Sequence, residues 1–75
     1  MDEKLFALQL GERIAELRKE RKMTQGELAC AAKIAPSNMS EIEHGKVSIQ
    51  ATTLMKIILA LNVYPNEMLA FYIKK

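Results

Sequence analysis

The apolar residues near the start of the chain recur with the period of a helix. Leu10, Ile14 and Leu17 stand at positions i, i+4 and i+7, which places them on one helix face. This spacing predicts a helix over about residues 3–22. Gly11 lies inside the segment, where a glycine is expected to weaken or bend the helix. No part of the sequence alternates apolar and polar residues over a useful length, so no β-sheet is expected.

A second helix is predicted to begin at two polar residues that can cap it. Thr24 and Glu27 have the spacing of a capping box. In that motif the threonine hydroxyl accepts from the glutamate N–H, and the glutamate carboxylate accepts from the threonine N–H. The helix then continues through Leu28-Ala29-Cys30-Ala31, whose small side chains suit a close helix crossing. Cys30, which stands among alanines, is expected to be a small buried thiol.

Three further helices are indicated by prolines and by residues that end helices. Pro36 is a favoured first helical residue, and Gly45 suits the left-handed position after a helix end. A fourth helix is predicted over about residues 51–61 with Asn62 as its left-handed terminator, and a fifth is predicted to begin at Pro65. Apolar positions in these three helices are Met39, Ile42, Leu54, Ile57, Ile58, Leu61, Met68 and Leu69. The methionines at positions 23, 39, 55 and 68 are expected to serve packing.

Length and charge set broad limits on the function. The chain has 75 residues, so one domain, residues 1–75, is expected. It carries 11 Lys+Arg against 9 Asp+Glu, and a formal net charge of +2 does not by itself indicate a nucleic-acid partner. Residues 13–22 contain five basic residues against two acidic ones. This segment either faces phosphates or forms a solvated helix face, and the sequence leaves both interpretations open.

Residues that carry reaction chemistry are scarce. Cys30 and His44 are the only residues of their types, so an internal disulfide and a zinc site of the usual spacing are excluded. Catalysis needs converging acid, base or nucleophilic groups, so we expect a non-enzyme with no cofactor, metal or small-molecule substrate. The sequence shows no signal peptide and no apolar run approaching about 18 residues, so a cytoplasmic protein without a membrane partner is expected.

The most informative stretch is residues 24–45, where two short helices are separated by only about four residues. The second of these helices carries small polar groups on its front: Ser37, Asn38, Ser40 and Glu41. This is the form of a helix-turn-helix unit, in which the second helix enters the major groove and its first residues reach base edges. The N-terminus of the first helix meets phosphate through backbone N–H groups.

Several motifs in register carry a resemblance to a known family. They are Leu10-Gly11-Glu12-Arg13-Ile14, Leu17-Arg18, Met23-Thr24-Gln25-Gly26-Glu27-Leu28-Ala29, Ser40-Glu41-Ile42-Glu43-His44-Gly45, Leu54-Met55-Lys56-Ile57 and Ala60-Leu61-Asn62-Val63. Over roughly residues 10–70 the chain resembles the Xre family, the phage repressor and Cro-like helix-turn-helix regulators. The resemblance implies an all-α, compact five-helix repressor-like domain that binds double-stranded DNA and regulates transcription as a repressor or an activator.

The resemblance also implies roles for individual residues. Gln25 stands where the family contacts phosphate, and Arg18 and Glu43 match a structural salt bridge of the family. Part of the exposed face of the recognition helix is implied to be formed by Ser37, Asn38 and Glu41. His44 and Lys46 fall where the family meets the DNA backbone. The candidate DNA-binding residues are therefore Thr24, Gln25, Ser37, Asn38, Ser40, Glu41, His44 and Lys46.

Three residues depart from the pattern of the family. Lys33 stands where glycine is usual in the turn between the two helices, and a left-handed residue other than glycine there costs roughly 1 kcal/mol or more. Pro36 occupies a position that often reads bases, yet its side chain has no polar group. Glu41 either accepts from a cytosine amino group or pairs with a nearby cation. The base specificity of relatives therefore does not carry over.

The expected function is operator binding by a homodimer that places the helix at 36–44 in the major groove. Symmetric dimers of such modules present two recognition helices to half-sites about 34 Å apart. Phe71 and Tyr72 either close the core or form the seam of this dimer. The alternative function is a protein-interaction module or antitoxin-like protein that keeps the helix-turn-helix fold, an alternative that Pro36, Glu41 and the low net charge favour.

Overall fold

The computed structural model describes residues 2–72, and every regular element in that range is helical. The helices are α1 (Glu3–Glu20), α2 (Gln25–Ala32), α3 (Pro36–Glu43), α4 (Ala51–Leu61) and α5 (Pro65–Met68). The predicted all-α five-helix fold is confirmed. The last helix is only four residues long, and residues 69–72 form turns instead of continuing it. No helix within residues 2–72 has the length and apolarity needed to cross a bilayer.

The helix ends lie where the capping residues predicted them. The Thr24 hydroxyl accepts from the Glu27 N–H at 3.0 Å, and the Thr24 N–H donates to the Glu27 carboxylate at 2.7 Å, which completes the capping box. Gly45 follows α3 with φ of 71°, and Asn62 follows α4 with φ of 58°. Both residues are in the left-handed region that turns the chain after a helix.

The core is aliphatic and is built by all five helices. Its largest fully buried side chains are Ile14, Leu17, Leu28, Met39, Ile42, Ile57, Leu61 and Met68. Two of the four methionines expected to serve packing, Met39 and Met68, are thus completely buried, and Met23 is half-buried. Met55 is 48% exposed, so the expectation is wrong for that residue. It does not belong to the buried set of α4, which is Ile57, Ile58 and Leu61.

Cys30 is exposed, and the expectation of a buried thiol is wrong. The inward face of α2 is formed by Leu28, Ala29 and Ala32. Since an α-helix turns by about 100° per residue, a residue one position after Ala29 faces away from that side. Small residues therefore occur on both the inward and the outward face of α2, and their presence around Cys30 does not indicate burial.

Gly11 serves a close crossing between α1 and α3. A Cβ atom built on Gly11 would lie 2.6 Å from the carbonyl oxygen of Glu43 and would also meet the carbonyl oxygen of Ile42. Only glycine therefore allows the two backbones to approach this closely. The helix continues through this position without a break, so the predicted weakening is overridden by packing.

Arg13 and Arg18 of α1, and Arg21 directly after it, donate hydrogen bonds to other parts of the chain. Arg13 donates from Nε to the carbonyl oxygen of Glu67 at 2.9 Å, and Arg21 donates from Nε to the carbonyl oxygen of Leu61 at 2.5 Å. Arg18 pairs with a carboxylate of α3. Three of the five basic residues at positions 13–22 therefore hold parts of the fold together. The resemblance implied this role for Arg18, and no sequence pattern indicated it for Arg13 or Arg21.

Candidate nucleic-acid interface

The N-terminus of α2 is an exposed helix end at which some backbone N–H groups have no partner within the helix. The capping box uses the N–H groups of Thr24 and Glu27. The N–H groups of Gln25 and Gly26, at the first two helical positions, have no intrahelical partner. Together with the positive end of the helix dipole, such groups attract phosphate. Thr24 is exposed and Gln25 is half-buried at this end.

The turn between α2 and α3 depends on a left-handed residue. Lys33 has φ of 58° and ψ of 45°, which confirms that the position favours glycine. Its N–H donates to the carbonyl oxygen of Cys30 at 3.1 Å, and the N–H of Ile34 donates to the carbonyl oxygen of Ala29 at 2.8 Å. These two bonds close the end of α2 and direct the chain toward Pro36, the first residue of α3.

The two faces of α3 differ sharply in their environment. Its inward face consists of Met39, Ile42 and Glu43, all buried. The outward face consists of the exposed residues Ser37, Asn38 and Glu41, with Ser40 half-buried beside them. Because inward positions recur at i, i+3 and i+4, the outward positions share the opposite side of the helix. The structure thus places three of the candidate DNA-binding residues together on one solvent-facing surface.

A polar network joins three helices beside this surface. The Glu43 carboxylate accepts from Arg18 Nε at 2.7 Å and from Arg18 Nη2 at 3.1 Å, in the two-point geometry typical of arginine and carboxylate. Arg18 Nη1 also donates to the carbonyl oxygen of Met23 at 2.9 Å. The side chains of Arg18 and Glu43 are only 12% and 5% exposed, so the expected structural salt bridge is present and nearly buried.

Gln25 belongs to the same network, a contact that the sequence did not predict. Its Nε2 donates to Glu43 Oε1 at 3.0 Å. The two residues are 18 positions apart and lie on different helices, so no local spacing rule could have paired them. The amide that the resemblance assigns to phosphate is therefore already held by a carboxylate from the end of α3.

The remaining candidates follow the C-terminal end of α3. His44 is exposed, and its Nδ1 lies 2.7 Å from the Ser40 carbonyl oxygen, so Nδ1 carries the proton in this bond. Gly45 then packs against the backbone of α1, where a Cβ atom would lie 2.6 Å from Leu8 Cα. Lys46 follows and is exposed. His44 and Lys46 thus lie at one end of α3, with Gln25 held by Glu43 beside them.

Comparison with known proteins gives three findings. A family model described as a helix-turn-helix domain matches residues 11–72. The restriction-modification controller protein C.AhdI from Aeromonas hydrophila is similar in structure, with a TM-score of 0.82, 25% sequence identity and coverage of 85% of this chain and 97% of that chain. A transcriptional regulator of the HTH_3 family from Vibrio cholerae has a TM-score of 0.88 at 24% identity, covering 95% of this chain and 40% of its own. No curated protein matches significantly.

Proposed function

The chain belongs to the helix-turn-helix domain family, a family of DNA-binding regulators and not of enzymes, and on that premise we propose that it binds operator DNA as a homodimer. In this proposal α3 lies in the major groove, and the protein regulates transcription by occupying the operator. Residues 1–75 act as one DNA-binding module, with the helix-turn-helix unit at residues 24–45. C.AhdI is itself a controller protein, and the 25% identity with it supports a role in gene control.

The observation that carries the proposal is the outward face of α3. Ser37, Asn38 and Glu41 are exposed together, while the opposite face of the same helix is anchored in the core. A helix with side chains is about 10–12 Å across, and the major groove of B-DNA is about 12 Å wide. Small polar side chains at the front of such a helix can hydrogen-bond to base edges without holding the helix away from them.

Backbone contacts would lie beside the C-terminal end of this helix. There the free N–H groups of α2 and the side chains of Thr24 and Gln25 offer hydrogen-bond donors to phosphate. At the same end Lys46 supplies a cation, and the exposed His44 stands between it and α3. Contacts of this kind set the register of a protein on the duplex and carry no sequence information themselves.

Sequence preference would come from few side chains. Pro36 offers no side-chain hydrogen bond, which leaves Ser37, Asn38, Ser40 and Glu41 as the readers. Asn38 can form two bonds to adenine, and the Glu41 carboxylate can accept from the amino group of cytosine. A good two-point contact discriminates against the wrong base by about 1–3 kcal/mol. We therefore expect half-sites that contain an adenine and a cytosine in the bases facing α3.

The dimer in this proposal is supported by exposed apolar side chains. One group lies around the ends of the described chain, where Tyr72 is 51% exposed, and Leu5 and Leu8 are 51% and 43% exposed. The other lies along and after α4, where Leu59 and Tyr64 are 71% and 74% exposed. A chain of this length buries a small core, and association of two copies is a common source of added stability.

The DNA-binding proposal can be tested by selecting sites from a random duplex pool and measuring affinity by fluorescence anisotropy at several salt concentrations. We expect enrichment of a two-fold symmetric site and an affinity that falls steeply with salt. Ser37→Ala and Asn38→Ala should relax the preference at particular bases, whereas Gln9→Ala, on the exposed side of α1, should change nothing. Salt-independent binding, or no sequence preference at any salt, would refute the proposal.

The homodimer is tested separately by sedimentation velocity. Tyr72→Ser removes one apolar side chain from the group at the ends of the described chain, and Leu59→Ser removes one from the group of α4. We expect one of the two variants to be a monomer. The other variant then serves as the matched control for the loss of surface apolarity. A wild-type protein that sediments as a monomer at tens of micromolar, with and without its selected DNA, would contradict the dimer.

A further inference from the structure

The carboxylate of Glu43 is the meeting point of three helices. Its Oε2 accepts from Arg18 of α1, and its Oε1 accepts both from Arg18 and from the Gln25 amide of α2. Glu43 is itself the last residue of α3, and its side chain is 5% exposed. Gln25 remains half-buried, so part of it lies at the surface. One carboxylate thus fixes the orientation of an amide that reaches the exposed end of α2.

We propose that Glu43 is a positioning residue for DNA binding, because it holds the Gln25 amide with one N–H bound and the other N–H free for a phosphate oxygen. A glutamine amide has two N–H donors on Nε2, and only one of them is used by Glu43. This inference rests on the proposed function. It adds that the phosphate contact is oriented before DNA arrives and that α3 itself provides the orientation.

The charge balance of the network is compatible with this role. An isolated carboxylate close to the DNA backbone would repel it, yet Glu43 is neutralised by the two-point bond from Arg18. Arg18 therefore allows Glu43 to orient Gln25 without an electrostatic cost toward phosphate.

The network also links two contacts that are otherwise independent. Gln25 stands at the first position of α2, and Glu43 stands at the last position of α3. A shift of α3 in the groove would move the carboxylate and therefore the amide that holds the backbone. The position of α3 in the groove and the contact of Gln25 with phosphate therefore depend on each other.

The first test observes the Gln25 side-chain amide by NMR in uniformly 15N-labelled protein. In the free protein we expect one of its two Nε2 protons to be shifted and protected from exchange, and the other to resemble the amides of the exposed residues Gln9 and Gln50. With the selected DNA, the second proton should also become shifted and protected while the first is retained. Loss of the first proton's protection in the complex would show that Gln25 must leave Glu43, which overturns the inference.

The second test is a double-mutant cycle measured by DNA affinity under conditions where circular dichroism shows every variant folded. Gln25→Ala and Glu43→Gln should each weaken binding about tenfold, the loss of one charge-assisted hydrogen bond. In the Glu43→Gln background, Gln25→Ala should cost less than about twofold, since the amide is already misplaced. Equal tenfold losses in both backgrounds would overturn the inference. If Glu43→Gln does not fold, Glu43→Asp, which keeps the charge but shortens the reach, takes its place.

The salt dependence separates this inference from the proposed function. Gln25→Ala removes a neutral donor and should leave the slope of log affinity against log salt unchanged, whereas Lys46→Ala should reduce that slope by about 0.9. A wild-type protein that binds no DNA refutes the proposed function. If the wild-type protein binds DNA, but the double-mutant cycle is additive or the Gln25 amide leaves Glu43 in the complex, only the role of Glu43 is refuted.

Discussion

Replacement of Lys33 by glycine should stabilise the protein, because the turn between α2 and α3 forces this lysine into a left-handed conformation. Its φ of 58° and ψ of 45° are nearly those of Asn62, which has φ of 58° and ψ of 47° at the end of α4. The conformation costs an L-residue with a Cβ roughly 1–2 kcal/mol, and glycine adopts it without that cost. Asparagine tolerates it better than lysine does.

The expected gain is smaller than the strain, because glycine also increases the conformational entropy of the unfolded chain. This second effect amounts to about 0.4–1 kcal/mol. Subtraction of the midpoints of the two ranges gives a net stabilisation by Lys33→Gly of about 0.8 kcal/mol. For a domain of this size it corresponds to a rise in Tm of about 3–6 °C.

Thermal and urea unfolding followed by circular dichroism measures the effect, and two controls isolate its cause. Lys33→Ala removes the charge but keeps the Cβ, so it should leave stability nearly unchanged. Asn62→Gly relaxes an equivalent backbone with a more tolerant side chain, so it should gain less than Lys33→Gly. Equal gains from Lys33→Gly and Lys33→Ala would refute the argument from backbone strain, as would a loss of stability in Lys33→Gly.

Three further predictions concern the packing described above. Gly11→Ala should lower the free energy of unfolding in urea by about 1–3 kcal/mol or more, because the added Cβ would meet backbone carbonyl groups of α3. Its control is Gly26→Ala, whose added Cβ would have its nearest neighbouring atom at 4.0 Å, so this variant should be neutral or slightly stabilised. An equal effect of both would contradict the close crossing. Arg18→Ala leaves the Glu43 carboxylate buried without its cation and should cost about 3–5 kcal/mol; an effect below about 1 kcal/mol would show that the pair is solvated. Cys30, being exposed, should react with a thiol reagent in native protein about as fast as in urea, and protection without denaturant would restore the buried assignment.

The helix boundaries could be predicted from the sequence because each is marked by a residue with a specific backbone role. A capping box at Thr24, a proline at Pro36 and left-handed residues at Gly45 and Asn62 act through their immediate neighbours. Because these effects are local, they can be predicted without knowledge of the rest of the fold. The end of α5 has no comparable signal, and only its start at Pro65 could be predicted.

The errors concern residues whose environment is set by distant parts of the chain. In a helix as short and alanine-rich as α2, the side on which Cys30 lies depends on where Leu28 finds its partners. The purpose of Gly11 depends on carbonyl groups more than thirty residues away in α3. Similarly, the tertiary contacts of Arg13 and Arg21 could not be predicted, because their acceptors are the backbone oxygens of Glu67 and Leu61, which no side-chain pattern reveals.

In the candidate interface, too, local features could be predicted from the sequence and contacts between distant residues could not. Exposure of Ser37, Asn38 and Glu41 followed from helical spacing once Met39 and Ile42 were assigned to the core. The bond between Gln25 and Glu43 did not, because it joins the start of one helix to the end of another. Spacing can therefore nominate residues for a surface, but their mutual orientation requires the assembled fold.

The aromatic cluster at the two ends of the described chain has a practical consequence. The ring of Phe6 lies 5.8 Å from that of Phe71 and 5.5 Å from that of Tyr72, measured between centroids. Asp2 and Tyr72 also line one surface cavity, so both ends of the described chain lie on the same side of the molecule. A tag at either terminus is joined within a few residues of this aromatic cluster, so untagged protein is the appropriate sample for measuring the oligomeric state in solution.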